Sequence, residues 1–277
     1  MTPRLLALDL DGTLLRTDQR VDERDIAAIR ELQAAGVTVT IVTGRMHAGS
    51  VGAARACSIE GAIACVEGSH LVEVASRRTL VHHAITPPAS ALLRETFGAH
   101  GLASFIFGAE HIHHDEAGEP YADYVRTWSP SLQRVAAALH EDAWASAPLA
   151  TVAIGDATAV AAAAATLRLH TDQVFSVSFP IGPLFGKPGE RHAVLARAAG
   201  PTKGTALAEL CRLAGCDLSD AVAVGDWVND VPMFRVAGRS FAMATAPEHV
   251  RGAATDTLVA EAGAGGGIAE AIRRAWG

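Results

Sequence analysis

The stretch from Arg4 to Leu14 constrains this chain more than any other. Leu5, Leu6, Ala7 and Leu8 form an apolar run with no polar alternation, the pattern of a strand covered on both faces in a parallel sheet. The run stops at Asp9-Leu10-Asp11-Gly12-Thr13. Carboxylates two positions apart on an extended segment point the same way. Two like charges side by side are costly to bury unless a cation joins them. Gly12 permits a tight turn just beyond. The stretch therefore reads as a metal-dependent site at the carboxyl end of a central strand. Turn formation and helix capping account for Asp9 and Asp11 equally well in isolation. A calcium loop of the EF-hand kind fits poorly, because its Gly belongs at the sixth position and a Glu at the twelfth; here Gly12 is fourth from Asp9, and Arg20 is twelfth.

The 277 residues suffice for a large core and two domains. A net charge of -7 without a polybasic run argues against nucleic acid or an anionic membrane as partner. Cys57, Cys65, Cys211 and Cys216 show no CxxC spacing and read as reduced thiols of a cytoplasmic protein. Asp9 and Asp11 interrupt the first apolar run, so it does not read as a signal peptide. The apolar patch Ala159 to Ala165 is too short to span a bilayer.

Val21 to Ala35 is expected to be a helix, with Asp22 as cap, Ile26, Ile29 and Leu32 on one face, and Gly36 at its end. Val37 to Val42 is a second buried strand, followed by Thr43-Gly44-Arg45; Met46 to Cys57 is a helix and Ala62 to Val66 a third strand. Strand, helix and strand with short links imply a right-handed crossover in a parallel sheet. The pattern changes at Thr86-Pro87-Pro88. A smaller α+β domain is expected beyond it: helices at Ala89 to His100, Ser131 to His140 and Ala157 to Leu169, and strands at Ser104 to Phe107, Glu110 to His113, Leu149 to Ile154 and Gln173 to Phe179. Pro180 to Pro188 reads as a loop. The first pattern then returns: a helix from Thr202 to Ala214, a strand from Ala221 to Val224 followed by Gly225-Asp226-Trp227-Val228-Asn229-Asp230, a strand from Ser240 to Ala244, a turn at Gly263 to Gly267 and a last helix from Ile268.

Three buried strands thus end in Asp9/Asp11, in Thr43 and in Asp226/Asn229/Asp230. Ligands of open α/β sheets bind outside the carboxyl ends of the strands. A divalent ion with oxygen ligands, most simply Mg²⁺, would neutralise the gathered carboxylates. Lys203 stands in the first turn of its helix, where the macrodipole disfavours a cation by roughly 0.3–1 kcal/mol. Neutralising an anion in the crevice would give it a reason to be there; a solvated surface lysine is the plainer reading of that residue alone.

Taken together, Asp9-Leu10-Asp11-Gly12-Thr13, Thr43-Gly44-Arg45, Lys203-Gly204 and Gly225-Asp226-x-x-Asn229-Asp230 resemble the four ordered motifs of the haloacid dehalogenase-like (HAD) phosphatases. The long insert between the second and third resembles the cap of the Cof-type, IIB subgroup. The resemblance implies an α/β fold: a Rossmann-like parallel-sheet core over 1–84 and 190–277, with an inserted α+β (C2B-type) cap over 85–189. It implies a Mg²⁺-dependent phosphomonoester hydrolase of a small phosphorylated metabolite, with a sugar phosphate expected, in a monomer or homodimer. Asp9 would be the nucleophile that forms an aspartyl-phosphate, and Asp11 the acid and then base. Thr43 would bond a phosphoryl oxygen and Lys203 balance charge. Asp9, Asp226 and Asp11, through its backbone carbonyl, would hold the metal. Asp230 would support that shell or Lys203, and Gly44, Arg45 and Asn229 would line the substrate side, although a surface ion pair accounts for Arg45 equally well.

Two residues depart from the pattern. Glu67-Gly68 stands where the subgroup often has Asn-Gly, and Trp227 is bulkier than is usual after the fourth-motif Asp. His111, His113 and His114 could suggest zinc, but a solvated hairpin edge or a substrate-facing hairpin accounts for them as well. Phe105, Trp128 and Trp144 are expected to pack the cap. Two other functions remain in view: a sugar phosphomutase, and a non-catalytic metabolite-binding protein on the same fold.

Overall fold

The computed structural model describes residues 3–182 and 190–277. Most of the loop expected from Pro180 to Pro188 lies outside the described residues. The chain divides into two compact units, one of Met1–Met46, Ser50–Val81 and Pro201–Gly277, the other of His47–Gly49 and His82–Gly200.

The first unit is built on a five-stranded parallel sheet in the order Asp256–Thr257, Arg239–Ala242, Ala221–Gly225, Leu5–Leu8, Thr38–Ile41. Leu5–Leu8 is flanked on both sides, with Leu5 opposite Ala221 and Thr38, and Leu8 opposite Val224 and Ile41. All four of its residues are fully buried, which is why the run shows no polar alternation. Burial of each leucine contributes about 1.5–3 kcal/mol before entropy is counted. Because neighbouring strands run parallel and in register, the chain leaves them at one edge, at Asp9, Val42 and Asp226.

The helix Glu23–Ala34 is capped by Asp22, whose carboxylate accepts the Arg24 N–H at 2.9 Å. Its buried Asp25 accepts the backbone N–H groups of Gly266 and Ala269, each at 2.8 Å, and so holds the start of the helix Gly267–Trp276. The strand Ala62–Cys65 differs from expectation. It meets the strand before it through one parallel bridge, Val42 to Ala64, and pairs antiparallel with His70–Glu73. The chain reverses at once through Val66, Glu67 and Gly68, so the strand serves a small three-stranded sheet with Thr79–His82.

The second unit holds a six-stranded sheet in the order Val174–Pro180, Arg191–Ala198, Ala150–Asp156, Ala103–Phe107, Ile112–His114, Leu132–Arg134, antiparallel except for the last pair. The helices Pro87–Ala99 and Ala157–Leu167 supply Leu93, Phe97, Val160 and Leu167 to its core. Residues 191–198 correct the expected return to the first unit at 190: they form a full strand between two strands of this sheet.

The helix expected from Ser131 to His140 is also absent. Leu132–Arg134 pairs with Ile112–His114, the Asp115 carboxylate takes the Ala138 N–H at 2.9 Å, and the Ala138 carbonyl takes the Trp144 indole N–H at 2.9 Å. Tertiary partners claim the groups a helix would pair internally, overriding alanine-rich propensity. Phe105 and Trp144 are buried, and Trp128 rests against Phe107 and Tyr124. His113 bonds Gln133, while buried His114 bonds the Asp115 carbonyl and tilts over Phe105. Among the described residues no helix is long and apolar enough to cross a membrane.

Candidate active site

Asp9 sits one residue beyond the central strand, where its N–H donates to the Val224 carbonyl at 2.9 Å. It is 5% exposed. One oxygen accepts from Lys203 Nζ at 2.5 Å. Lys203 also donates to Asp230 at 2.6 Å, and its side chain is wholly buried. The lysine is delivered by the first turn of its helix. Thr202 and Thr205 clamp that turn reciprocally: the Thr202 hydroxyl accepts the Thr205 N–H at 3.1 Å, and the Thr205 hydroxyl accepts the Thr202 N–H at 2.9 Å. Unfavourable placement at the positive helix end is outweighed by two carboxylates in a buried setting.

Asp230 acts as a clip. One oxygen takes Lys203, and the other accepts the backbone N–H groups of Asp226 and Trp227, both at 2.9 Å. The clip closes the turn after the strand Ala221–Gly225 and presents Asp226. Thr13 donates its hydroxyl to Asp226 at 3.1 Å. Gly12, at φ +79°, is required here: a Cβ on it would lie 2.5 Å from an Asp226 oxygen. Asp9, Asp226 and Asp230 each offer an oxygen, all within 4.8 Å of one another.

The titration of this group follows from crowding. Burial raises the Asp9 carboxyl well above its ordinary range, and Asp230 and Asp226 add to the rise against the pull of Lys203. Asp226 is raised to about 6, by burial first and Asp230 second. For Lys203, burial favours the neutral amine, but Asp230 and Asp9 together reverse this and raise its pKa. Three carboxylates against one ammonium leave negative charge in excess. Oxygen donors gathered with excess negative charge suit a hard divalent cation such as Mg²⁺.

Thr43 is buried; its N–H donates to the Ala64 carbonyl, and its hydroxyl accepts the Arg45 N–H at 3.1 Å. Gly44 lies against Glu67, and Asn229 donates its amide to Glu67 at 2.8 Å. Asp11 does not join the carboxylate cluster. Its half-exposed side chain takes Arg45, whose Nε lies 2.7 Å from Asp11 Oδ2 and whose Nη2 also bonds Asp11 and Gln19. The expectation that Asp9 and Asp11 point the same way is corrected: the strand ends at Leu8, and the chain turns with Leu14 and Leu15 donating to the Asp9 and Leu10 carbonyls. The alternation rule therefore no longer applies. Trp227 is 57% exposed. Sequence reasoning gave no role to Thr13 and saw Glu67 only as a departure. The signal for Thr13 was its place within the first motif; for Glu67 there was none beyond the unexpected acid.

The family profile described as haloacid dehalogenase-like hydrolase matches residues 6–272. The chain belongs to this family. Pyridoxal phosphate phosphatase YbhA of Escherichia coli strain K12 is 26% identical over 267 residues, 91% of each chain. A phosphoglycolate phosphatase of Natronomonas pharaonis is 28% identical over 282 residues, covering 98% of this chain and 96% of that one. Among solved structures, a sugar phosphatase of HAD subclass IIB superposes with a TM-score of 0.77 at 19% identity over 98% of both chains; at that identity the likeness is one of fold.

Proposed function

We propose that the chain is a Mg²⁺-dependent phosphomonoester hydrolase, acting on a small phosphorylated metabolite such as a sugar phosphate through an aspartyl-phosphate on Asp9. The observation that carries this reading is Asp9 at the end of the central strand, bonded to buried Lys203 and within reach of Asp226 and Asp230. The family supports phosphoryl chemistry, and the names of the two relatives place phosphomonoesters among the family's substrates.

In this mechanism an Asp9 oxygen attacks phosphorus while the bond to the leaving oxygen breaks, and Asp11 gives that oxygen its proton. Asp11 then takes a proton from the water that attacks phosphorus, which releases phosphate and restores Asp9. Lys203 holds the Asp9 carboxylate in place and offsets charge on the phosphoryl group. Thr43, the Gly44 turn and Asn229 orient the phosphoryl oxygens, and Arg45 holds Asp11. Asp9, Asp226 and the Asp11 carbonyl would hold Mg²⁺, with Asp230 supporting Asp226. When bound, the ion supplies charge neutralisation to carboxylates and phosphoryl oxygens that would otherwise repel.

The test is phosphate release from a panel of phosphomonoesters by the wild type and by Asp9→Asn, each with Mg²⁺ and with EDTA. The wild type should turn over only with the metal, and the variant should lose at least about a thousandfold in kcat, as nucleophile removal does. Undiminished hydrolysis by Asp9→Asn, or turnover indifferent to EDTA, contradicts the proposal.

A further inference from the structure

The turn after the strand Ala62–Cys65 has an unusual backbone. Val66, Glu67 and Gly68 all lie at positive φ, at 50°, 57° and 93°. Left-handed conformation costs a non-glycine residue of order 1 kcal/mol or more, and such strain gathers where function over-determines the backbone. Here the turn is lashed in place. The Val66 N–H donates to the Arg45 carbonyl at 3.0 Å and the Glu67 N–H to the Thr43 carbonyl at 3.0 Å. Gly68 is packed so tightly on Thr202 that a Cβ would lie 2.8 Å from its carbonyl. The turn is thereby fixed to both the Thr43–Arg45 segment and the start of the Lys203 helix.

What the strained turn presents is the Glu67 carboxylate. It accepts the Asn229 amide at 2.8 Å, and a Cβ on Gly44 would lie 2.5 Å from the same oxygen. Lys203 feels its charge, yet the ammonium spends its bonds on Asp9 and Asp230. Among the described residues Glu67 makes no ion pair, and its hydrogen-bond donor is a neutral amide. The Asn229 carbonyl oxygen beside it is buried without a partner. A carboxylate with no ion-pair partner among the described residues therefore stands beside the groups assigned to the phosphoryl oxygens.

We infer that Glu67 is a specificity-determining residue that selects phosphomonoesters whose leaving alcohol is neutral and carries a hydroxyl near the phosphate, and rejects those carrying a carboxylate there. A hydroxyl can donate to the second Glu67 oxygen, whereas a carboxylate meets like charge in a half-buried setting. This rests on the phosphatase reading above and narrows its substrate class. At separations of about 6 Å, partly screened, the repulsion corresponds to a discrimination of about tenfold.

The test compares kcat/KM for 2-hydroxyethyl phosphate and 2-phosphoglycolate, which differ only in a hydroxymethyl against a carboxylate group. The variants are Glu67→Asn, which removes the charge and tolerates left-handed φ, and Glu67→Asp, which tolerates it and keeps the charge. The wild type should prefer hydroxyethyl phosphate. Glu67→Asn should raise the ratio of phosphoglycolate to hydroxyethyl phosphate about tenfold, and Glu67→Asp should leave it near the wild-type value. A merely structural role would lower both rates together without moving the ratio. An unmoved ratio in Glu67→Asn, or an equal shift in Glu67→Asp, overturns the inference while leaving the phosphatase reading intact. Failure of the wild type to release phosphate from either compound and from p-nitrophenyl phosphate overturns the reading beneath it.

Discussion

Replacing Lys203 with Met keeps an unbranched apolar stem and removes the charged ammonium group at its end. The structure sets the size of the effect. The ammonium is wholly buried, and its two bonds, at 2.5 and 2.6 Å, tie Asp9 to Asp230. Removing one partner of a buried ion pair costs about 3–5 kcal/mol, because the remaining charge is left uncompensated. For a protein of this size that lowers the melting temperature by on the order of 10 °C. The pH dependence carries the sharper test. The Asp9 and Asp226 carboxyls titrate above their unfolded value of 3.8, Asp226 at about 6. The folded state therefore binds more protons than the unfolded state across that window, and it gains stability as pH falls through it. Without Lys203 the carboxylates repel more strongly and this gain is larger. The difference between wild type and Lys203→Met should shrink as pH falls from 8 through 6 toward 4. Differential scanning fluorimetry in metal-free buffer across that range reads the effect. A variant that melts within about 2 °C of wild type at pH 8, or a gap that stays constant with pH, would refute the electrostatic account of the cluster.

Gly12→Ala should separate activity from stability. Its Cβ falls 2.5 Å from an Asp226 oxygen at φ +79°, so the backbone strain of about 1–2 kcal/mol lowers the melting point by only a few degrees, while displacement of Asp226 should reduce Mg²⁺-supported turnover more than tenfold; equal activity in the two proteins contradicts that placement. Asp22→Ala should cost about 1 kcal/mol at pH 7 through loss of the helix cap. The Arg24 side chain holds the Asp22 carboxyl down at about 2, so its stabilisation is complete above the unfolded value of 3.8 and is lost as pH falls through about 2. Acid titrations of wild type and Asp22→Ala should therefore converge at the acid end, and a gap that widens there contradicts the cap.

Legibility of the sequence followed what sets each feature. The central strand and its neighbours were readable because burial on both faces removes polar alternation, as at Leu5–Leu8 and Ala221–Gly225. The edge where Asp9, Thr43 and Asp226 emerge followed from parallel topology alone. Segment 131–140 misled because alanine-rich propensity is a weak prior against side-chain partners that helix periodicity does not reveal, the Asp115 carboxylate well upstream and the Trp144 indole just downstream. The strand Arg191–Ala198 was missed because its charged ends, Arg191 and Arg197, mask the apolar interior. Asp11 swung to Arg45 because a turn, which spacing cannot reveal, follows Leu8. Glu67 was noticed only as a misfit, since nothing in a sequence marks a glutamate held at positive φ.

The central claim is that Asp9 captures phosphorus, and chemical trapping tests it most directly. During turnover of a phosphomonoester with Mg²⁺, a borohydride quench reduces an acyl-phosphate to the alcohol, which converts the modified aspartate to homoserine. Peptide mass spectrometry should find homoserine at position 9, dependent on substrate and absent from Asp9→Asn. Sustained hydrolysis with no modification at position 9, or with homoserine at position 226 or 230 instead, would contradict the account.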